Sequence, residues 1–115
     1  MRDFAFTLPI PDERVQELRD LLTEVRRPER ISGLARRARH AGYHRERMFV
    51  QTGESGSFLI VYLEFDEDTD PLEFQKRLMS YQDEWTAWWD PQYTSFFQGD
   101  LAPHAELLFA WDHDE

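Results

Sequence analysis

The chain has no cysteine among its 115 residues. That excludes disulfides, thiolate metal sites and cysteine nucleophiles, and it fits a cytoplasmic protein. Lysine is nearly missing as well: Lys76 stands against twelve arginines, a bias of genomic composition more than of chemistry. Long apolar runs are absent. The longest, Phe58 to Leu63, falls far short of the ~20 residues that span a bilayer. Met1 is followed at once by Arg2 and Asp3, without the apolar stretch of an export signal, so no membrane partner is expected. Net positive charge is lacking too. The formal charge of −10 argues against a nucleic-acid partner, because phosphate contacts need basic surface. No G-x-S-x-G, Gly-rich phosphate loop or H-E-x-x-H is present, which removes the common hydrolase and nucleotide signatures.

What the chain does have is apolar and aromatic material, 41% and 15% of its residues, enough for one core without staples. With no repeat, low-complexity tract or linker, residues 1–115 are expected to form a single domain. Charge is spread unevenly. Residues 26–47 hold eight arginines against Glu29 and Glu46, a local +6 that leaves −16 for the remainder. That stretch is either a solvated face matching acidic surface or a docking site for an anionic ligand.

Periodicity predicts a β-α-β-β-α-β order. Phe4, Phe6 and Leu8 alternate as a first strand, ended by Pro9 and Pro11. A helix over 12–26 carries Val15, Leu18, Leu21/Leu22 and Val25 on one stripe. After Pro28 a second helical segment bears Ile31, Leu34, Ala35 and Ala38, with Gly42 as its C-cap. Strands over 43–51 and 57–65 flank a turn at 52–56. Asp70-Pro71-Leu72-Glu73 opens a long amphipathic helix carrying Phe74, Leu78, Tyr81, Trp85 and Trp88/Trp89, ending near Pro91. The stretch 92–100 is aromatic-rich and expected to be partly helical, and 105–111, with Leu107, Phe109 and Trp111 alternating, reads as the last strand.

The strand over 57–65 is apolar on both faces, with Leu59, Val61, Leu63 and Phe65 on one side and Phe58, Ile60 and Tyr62 on the other. Helices can cover only the first face, so a second copy of the sheet is expected on the second, and the chain is expected to be a homodimer.

Candidate chemistry is sparse. Asp66, Asp68 and Asp70 open like a calcium loop, but Pro71 and Arg77 occupy the positions of its glycine and its bidentate glutamate. His40 and His44 have chelating spacing, yet Gly42 separates them and no third ligand stands nearby; no metal is expected. The aromatic group Tyr81, Trp85, Trp88, Trp89, Tyr93, Phe96, Phe97 and Trp111 serves either core and subunit interface or an apolar pocket for a flat ligand. Opposite the helices, the sheet should present Thr7, Tyr62, Glu64, His104 and Glu106, joined by His44/Glu46 or by Arg45/Arg47 depending on register. These residues suit general acid–base catalysis or an ion-pair network that fixes dimer register.

The helix break at Pro28 and the stretch Gly42-Tyr43-His44-Arg45-Glu46-Arg47-Met48-Phe49 leading into Phe58-Leu59-Ile60-Val61-Tyr62-Leu63-Glu64 resemble the dimeric α+β barrel superfamily. So does Ser80 to Trp89, with Asp83 and Trp85. Within the superfamily the chain is most similar to a group of short, uncharacterised bacterial proteins. The resemblance implies a ferredoxin-like α+β protomer with an antiparallel sheet packed on that of a partner. It also implies a range of activities: cofactor-free monooxygenases, polyketide cyclases, lactone isomerases, haem-degrading enzymes and stress-response proteins. The resulting expectation is a cofactor-free small-molecule enzyme of cyclase, isomerase or monooxygenase type, acting on a hydrophobic or aromatic substrate. Tyr62, Glu64, His104 and Glu106 are its acid–base candidates. Trp85, Trp88, Phe58, Ile60 and Arg47 are the ligand-binding candidates. The alternatives are a non-catalytic binding or dimeric interaction module, and a haem binder with His44 or His104 as axial ligand. An RNA-recognition module shares the element order, and Phe58 and Tyr62 meet half its demand for exposed aromatics, but the charge of −10 does not suit it.

Overall fold

A computed structural model describes residues 1–97 and 104–113. The first strand, β1 (Arg2–Ile10), buries Phe4, Leu8 and Ile10 on one face. Pro11 and a single 3-10 turn, Asp12–Arg14, lead into α1 (Val15–Val25), which buries Val15, Leu18, Leu21 and Val25. Pro28 then occupies the first turn of α2 (Pro28–Ala41), where its missing N–H has no helical partner to lose. Gly42 ends α2 in the left-handed region (φ 84°), as its position predicts, and its N–H donates to the Ala38 carbonyl. The buried face of α2 differs from the expected stripe: it consists of Gly33, Arg37 and Ala41, while Ile31 stays 40% exposed.

β2 (Tyr43–Gly53) and β3 (Gly56–Phe65) form a hairpin, and the antiparallel sheet has the order β1-β3-β2. β2 pairs Tyr43 with Phe65 but Arg45 with Glu64, so His44 is an extra residue, a β-bulge. The bulge determines which way the strand faces. Arg45 and Arg47 share a face with Tyr62 and Glu64, and Glu46, opposite Leu63, turns toward the helices. Along β3, Ser57, Leu59, Val61, Leu63 and Phe65 are buried, while Phe58, Ile60, Tyr62 and Glu64 are half-buried on the face without helices.

The expected long helix is two helices. α3 (Pro71–Ser80) begins where Asp70 accepts a hydrogen bond from the Leu72 N–H at 2.8 Å. The chain leaves the helix at 81–83 and restarts as α4 (Glu84–Thr94). The cause is a capping box: Asp83 accepts from the Thr86 N–H at 2.9 Å, and Thr86 Oγ1 accepts from the Asp83 N–H at 2.8 Å. Pro91 lies inside α4 and does not end it; the helix continues to Thr94.

The expected last strand is also corrected. Residues 104–113 hold no regular secondary structure, and among the described residues the sheet has three strands. One backbone bond, Ala105 N–H to the Ala5 carbonyl at 2.5 Å, ties the segment to the free edge of β1. Leu107, Leu108, Phe109 and Trp111 are exposed, and Leu107, Phe109 and Trp111 line an open cleft together with Asp3, Tyr62 and Glu64. Of the aromatic stretch 92–100, residues 98–100 lie outside the described residues, as do 114 and 115.

Among the described residues the result is an α+β arrangement of four α-helices and a three-stranded antiparallel sheet, consistent with a ferredoxin-like fold. Its core lies between the inner sheet face and the helices, where Phe65 and Phe74 stack at 4.4 Å beside Phe4 and Leu59. Among the described residues no helix is long and apolar enough to cross a membrane.

Candidate functional site

The sheet register divides the expected site residues. On the face without helices the strands align as four rungs: Asp3–Glu64–Arg45, Ala5–Tyr62–Arg47, Thr7–Ile60–Phe49 and Pro9–Phe58–Gln51. Two rungs are charged or polar and the other two mainly apolar. In the first pair the Tyr62 hydroxyl contacts Asp3 and also Glu64 Oε1, the latter at 2.9 Å. A phenol has one proton to donate, so the two carboxylates share it. Burial, then the two carboxylates, push the Tyr62 hydroxyl well above the ordinary tyrosine range. Held neutral, it acts as a strut between acids. Arg45 Nε lies 3.5 Å from Glu64 Oε2 and balances part of that negative charge.

The other two acid–base candidates are elsewhere. His104 stacks on Phe4, a core residue of the helix side, with ring centres 5.0 Å apart. Glu106 is exposed. Tyr62 and Glu64 are therefore brought together, and His104 and Glu106 do not join them. Of the ligand-binding candidates, Phe58 and Ile60 lie on the open face, while Trp85 is buried and Trp88 half-buried on the helix side. Arg47 sits at the β2 edge, donates to the Glu46 carbonyl at 3.2 Å and reaches the rim of a helix-side recess.

That recess, about 550 Å³, opens between α1, α2, β2 and α4, with Leu22, Val25, Ile31, Leu34 and Met48 as apolar walls. Arg37, Glu46 and Trp89 also line it, and Tyr43 contacts Arg37 from behind; the sequence pattern names Trp89 among the aromatics and Glu46 only as a candidate for the opposite sheet face, and does not single out Arg37 or Tyr43 as site residues. Arg37 faces inward because α2 presents Gly33, Arg37 and Ala41 at successive spacings of four, and the small residues on either side let the helix approach α4 and the sheet. Its Nε donates to the Tyr43 hydroxyl at 3.3 Å, its Nη2 lies 3.9 Å from Glu46 Oε1, and its guanidinium sits 4.9 Å over the Trp85 ring. Burial pushes the Glu46 carboxyl above the ordinary glutamate value, against the opposing charge of Arg37. Burial likewise pushes the Tyr43 hydroxyl up to about 12.

Trp85 stacks on Trp89 at 5.5 Å, and Trp89 on Tyr93 at 4.8 Å, giving three parallel rings. Among the described residues, three buried polar atoms here have no hydrogen-bond partner: Glu46 Oε1, Trp85 Nε1 and Trp89 Nε1. Native interiors leave few such atoms, each at about 1–3 kcal/mol, so three on adjoining residues mark an unusual place. On the β1 side a second recess of about 250 Å³ is walled by Phe4, Phe6, Leu78, Met79, Tyr93 and His104, and Arg37 and Trp89 line both recesses.

His44 pairs with Asp66 at 2.5 Å, His40 packs against Tyr81, and among the described residues no group of three acids or histidines is gathered. No protein-family model matches the chain, and no curated protein matches it.

Proposed function

We propose that the chain is a cofactor-free small-molecule enzyme of the dimeric α+β barrel type, acting by acid–base chemistry on a hydrophobic or aromatic substrate held between sheet and helices. The observation that carries this reading is the buried Glu46 carboxyl in an apolar recess that Trp85 and Trp89 also line, with Glu46 Oε1 and both indole N–H groups lacking a hydrogen-bond partner among the described residues. A carboxyl whose proton affinity is raised by burial is better suited to proton transfer than an ordinary surface carboxylate. Indole N–H groups suit an oxygen on which negative charge develops. Glu46 thus takes the acid–base role that the sequence pattern assigned to Glu64, and Trp85 keeps its role as wall, joined by Trp89. The assignment to the dimeric α+β barrel type rests on fold-level analogy.

The test is a titration with 2-naphthamide, a flat neutral probe, followed through the indole N–H resonances of ¹⁵N-labelled protein. Shifts confined to the Trp85 and Trp89 signals are expected. If these two stay still at saturating probe, the recess is not a ligand site.

For assembly, the open sheet face favours a second copy of the chain. Its apolar rungs hold Phe58, Ile60 and Phe49, the last 54% exposed. Its charged rungs run from Asp3 on one flank to Arg45 and Arg47 on the other, a pattern that complements itself about a two-fold axis. The variant Ile60→Asp should sediment as a monomer with an unchanged circular dichroism spectrum. A wild-type chain that is already monomeric at micromolar concentration would remove the homodimer from this reading.

A further inference from the structure

Arg37 is 9% exposed, and a guanidinium taken that far from water loses several kcal/mol of solvation unless acceptors replace it. Its acceptors are few. The Nε–H bond to Tyr43 is long, at 3.3 Å, and goes to a neutral hydroxyl. Glu46 Oε1, 3.9 Å from Nη2, is beyond hydrogen-bond reach, and Glu46 is itself among the unpartnered groups. The four N–H bonds of the two Nη atoms find no acceptor among the described residues. The Trp85 ring face at 4.9 Å offers π density but no lone pair. Arg37 is thus a buried cation with an idle fork of donors, and its side chain lines both recesses.

We propose that Arg37 is an internal anion anchor, and that the ligand of this site is a flat apolar molecule carrying one carboxylate, which the Arg37 fork grips while the aromatic body lies against Trp89 and Tyr93. The proposal rests on the small-molecule reading above and adds the ligand's charge and orientation to it. A planar fork of N–H donors matches a carboxylate in bidentate fashion, and the match is strongest where water is excluded. Two carboxyls lie near Arg37, Glu46 and Asp90; burial opposes the ionisation of both, and among the described residues neither makes a hydrogen bond to the fork. The apolar walls of the β1-side recess, Phe4, Phe6, Leu78 and Met79, accept a ring system, and Gln75, Asp90, Thr94 and His104 complete its lining.

The test compares 2-naphthoate with its neutral isostere 2-naphthamide by titration calorimetry at pH 7. Naphthoate should bind at least tenfold more tightly, and Arg37→Gln should bring the ratio of the two affinities close to one. Glu46→Gln removes the acid that competes for Arg37 and should widen the ratio severalfold; it decides the matter if Arg37→Gln does not fold. Equal affinities for the two probes in the wild-type chain would overturn the anion anchor and leave the small-molecule reading standing. Binding of neither would overturn both. A ratio unmoved by Glu46→Gln would mean that the carboxylate does not reach Arg37.

Discussion

Replacing Gly33 with alanine should destabilise the protein, although glycine to alanine inside a helix ordinarily stabilises it by about 0.5–1 kcal/mol. Gly33 lies mid-way along α2, where a Cβ would stand 2.2 Å from Trp85 Cγ, 2.3 Å from Cδ1 and 2.5 Å from Cβ. Carbon atoms pack at roughly 3.5–4.0 Å, so the overlap exceeds an ångström. Rotation about the Trp85 side chain does not relieve it, because the Cβ of Trp85 is itself one of the atoms struck. Either α2 lifts from α4 or Trp85 leaves its stack on Trp89. Overpacking of this kind typically costs about 1–3 kcal/mol, and a lost aromatic pair adds about 0.5–1.5. Set against the propensity gain, the net loss is about 1–3 kcal/mol. For a domain of this size that lowers Tm by at least about 4 °C. Guanidinium unfolding should give a lower midpoint at unchanged slope. A variant as stable as the parent, or more stable, would mean that α2 does not rest on Trp85 and that the recess lacks the wall described for it.

Three further outcomes follow from the caps and the buried acid. Asp83→Ala should cost about 0.5–2 kcal/mol by urea unfolding, because it removes the N-cap of α4 together with contacts to Tyr81 and Arg36. Although desolvation opposes it, hydrogen bonding from Thr86, Tyr81 and Arg36 holds the Asp83 carboxyl below the ordinary 3.8; its contribution is present above that value and is lost as pH falls through the folded-state pKa, a limb that Asp83→Ala should remove. Gly42→Ala should cost about 1–2 kcal/mol, since a side chain at φ 84° is strained and its Cβ would lie 2.8 Å from Asp66 Oδ2; unfolding midpoints read this directly. Glu46 works in the opposite sense from Asp83. Its folded-state pKa is raised, so its contribution is full below 4.5 and is lost as pH rises through the folded value; Glu46→Gln should flatten that decline in thermal melts taken across the pH range.

Much of the fold was legible because local signals agreed with one another. Gly42 as C-cap, Asp70-Pro71 as helix start and the two-faced strand from Ser57 to Phe65 each rest on a mechanism that acts within a few residues. The break between α3 and α4 was hidden by an apolar stripe running through it from Leu78 to Trp85. Asp83-x-x-Thr86 was the available signal, and capping outweighed periodicity. At 105–111 the period is that of a strand, but a pattern cannot supply a neighbour, and a single bond to Ala5 does not make a ladder. The helix-side site was the least legible part. Nothing in a run of eight arginines marks Arg37 as the inward one except the small residues Gly33 and Ala41 four positions to either side. Whether Glu46 or Arg47 enters the core depends on a single bulge, to which periodicity is blind.

That bulge also makes the chain unequally tolerant of lost codons. Deleting His44 would leave Tyr43 adjoining Arg45, and every pair from Arg45–Glu64 to Gly53–Gly56 would stay in place, at the loss of one contact to Asp66. Deleting any residue from Leu59 to Leu63 offers no such escape. One half of β3 would turn inside out, exchanging Phe58 and Ile60 for Leu59 and Val61 or setting Glu64 where Phe65 now packs. A library of single-residue deletions across the hairpin should therefore leave folded protein at 44 and almost none through the centre of β3.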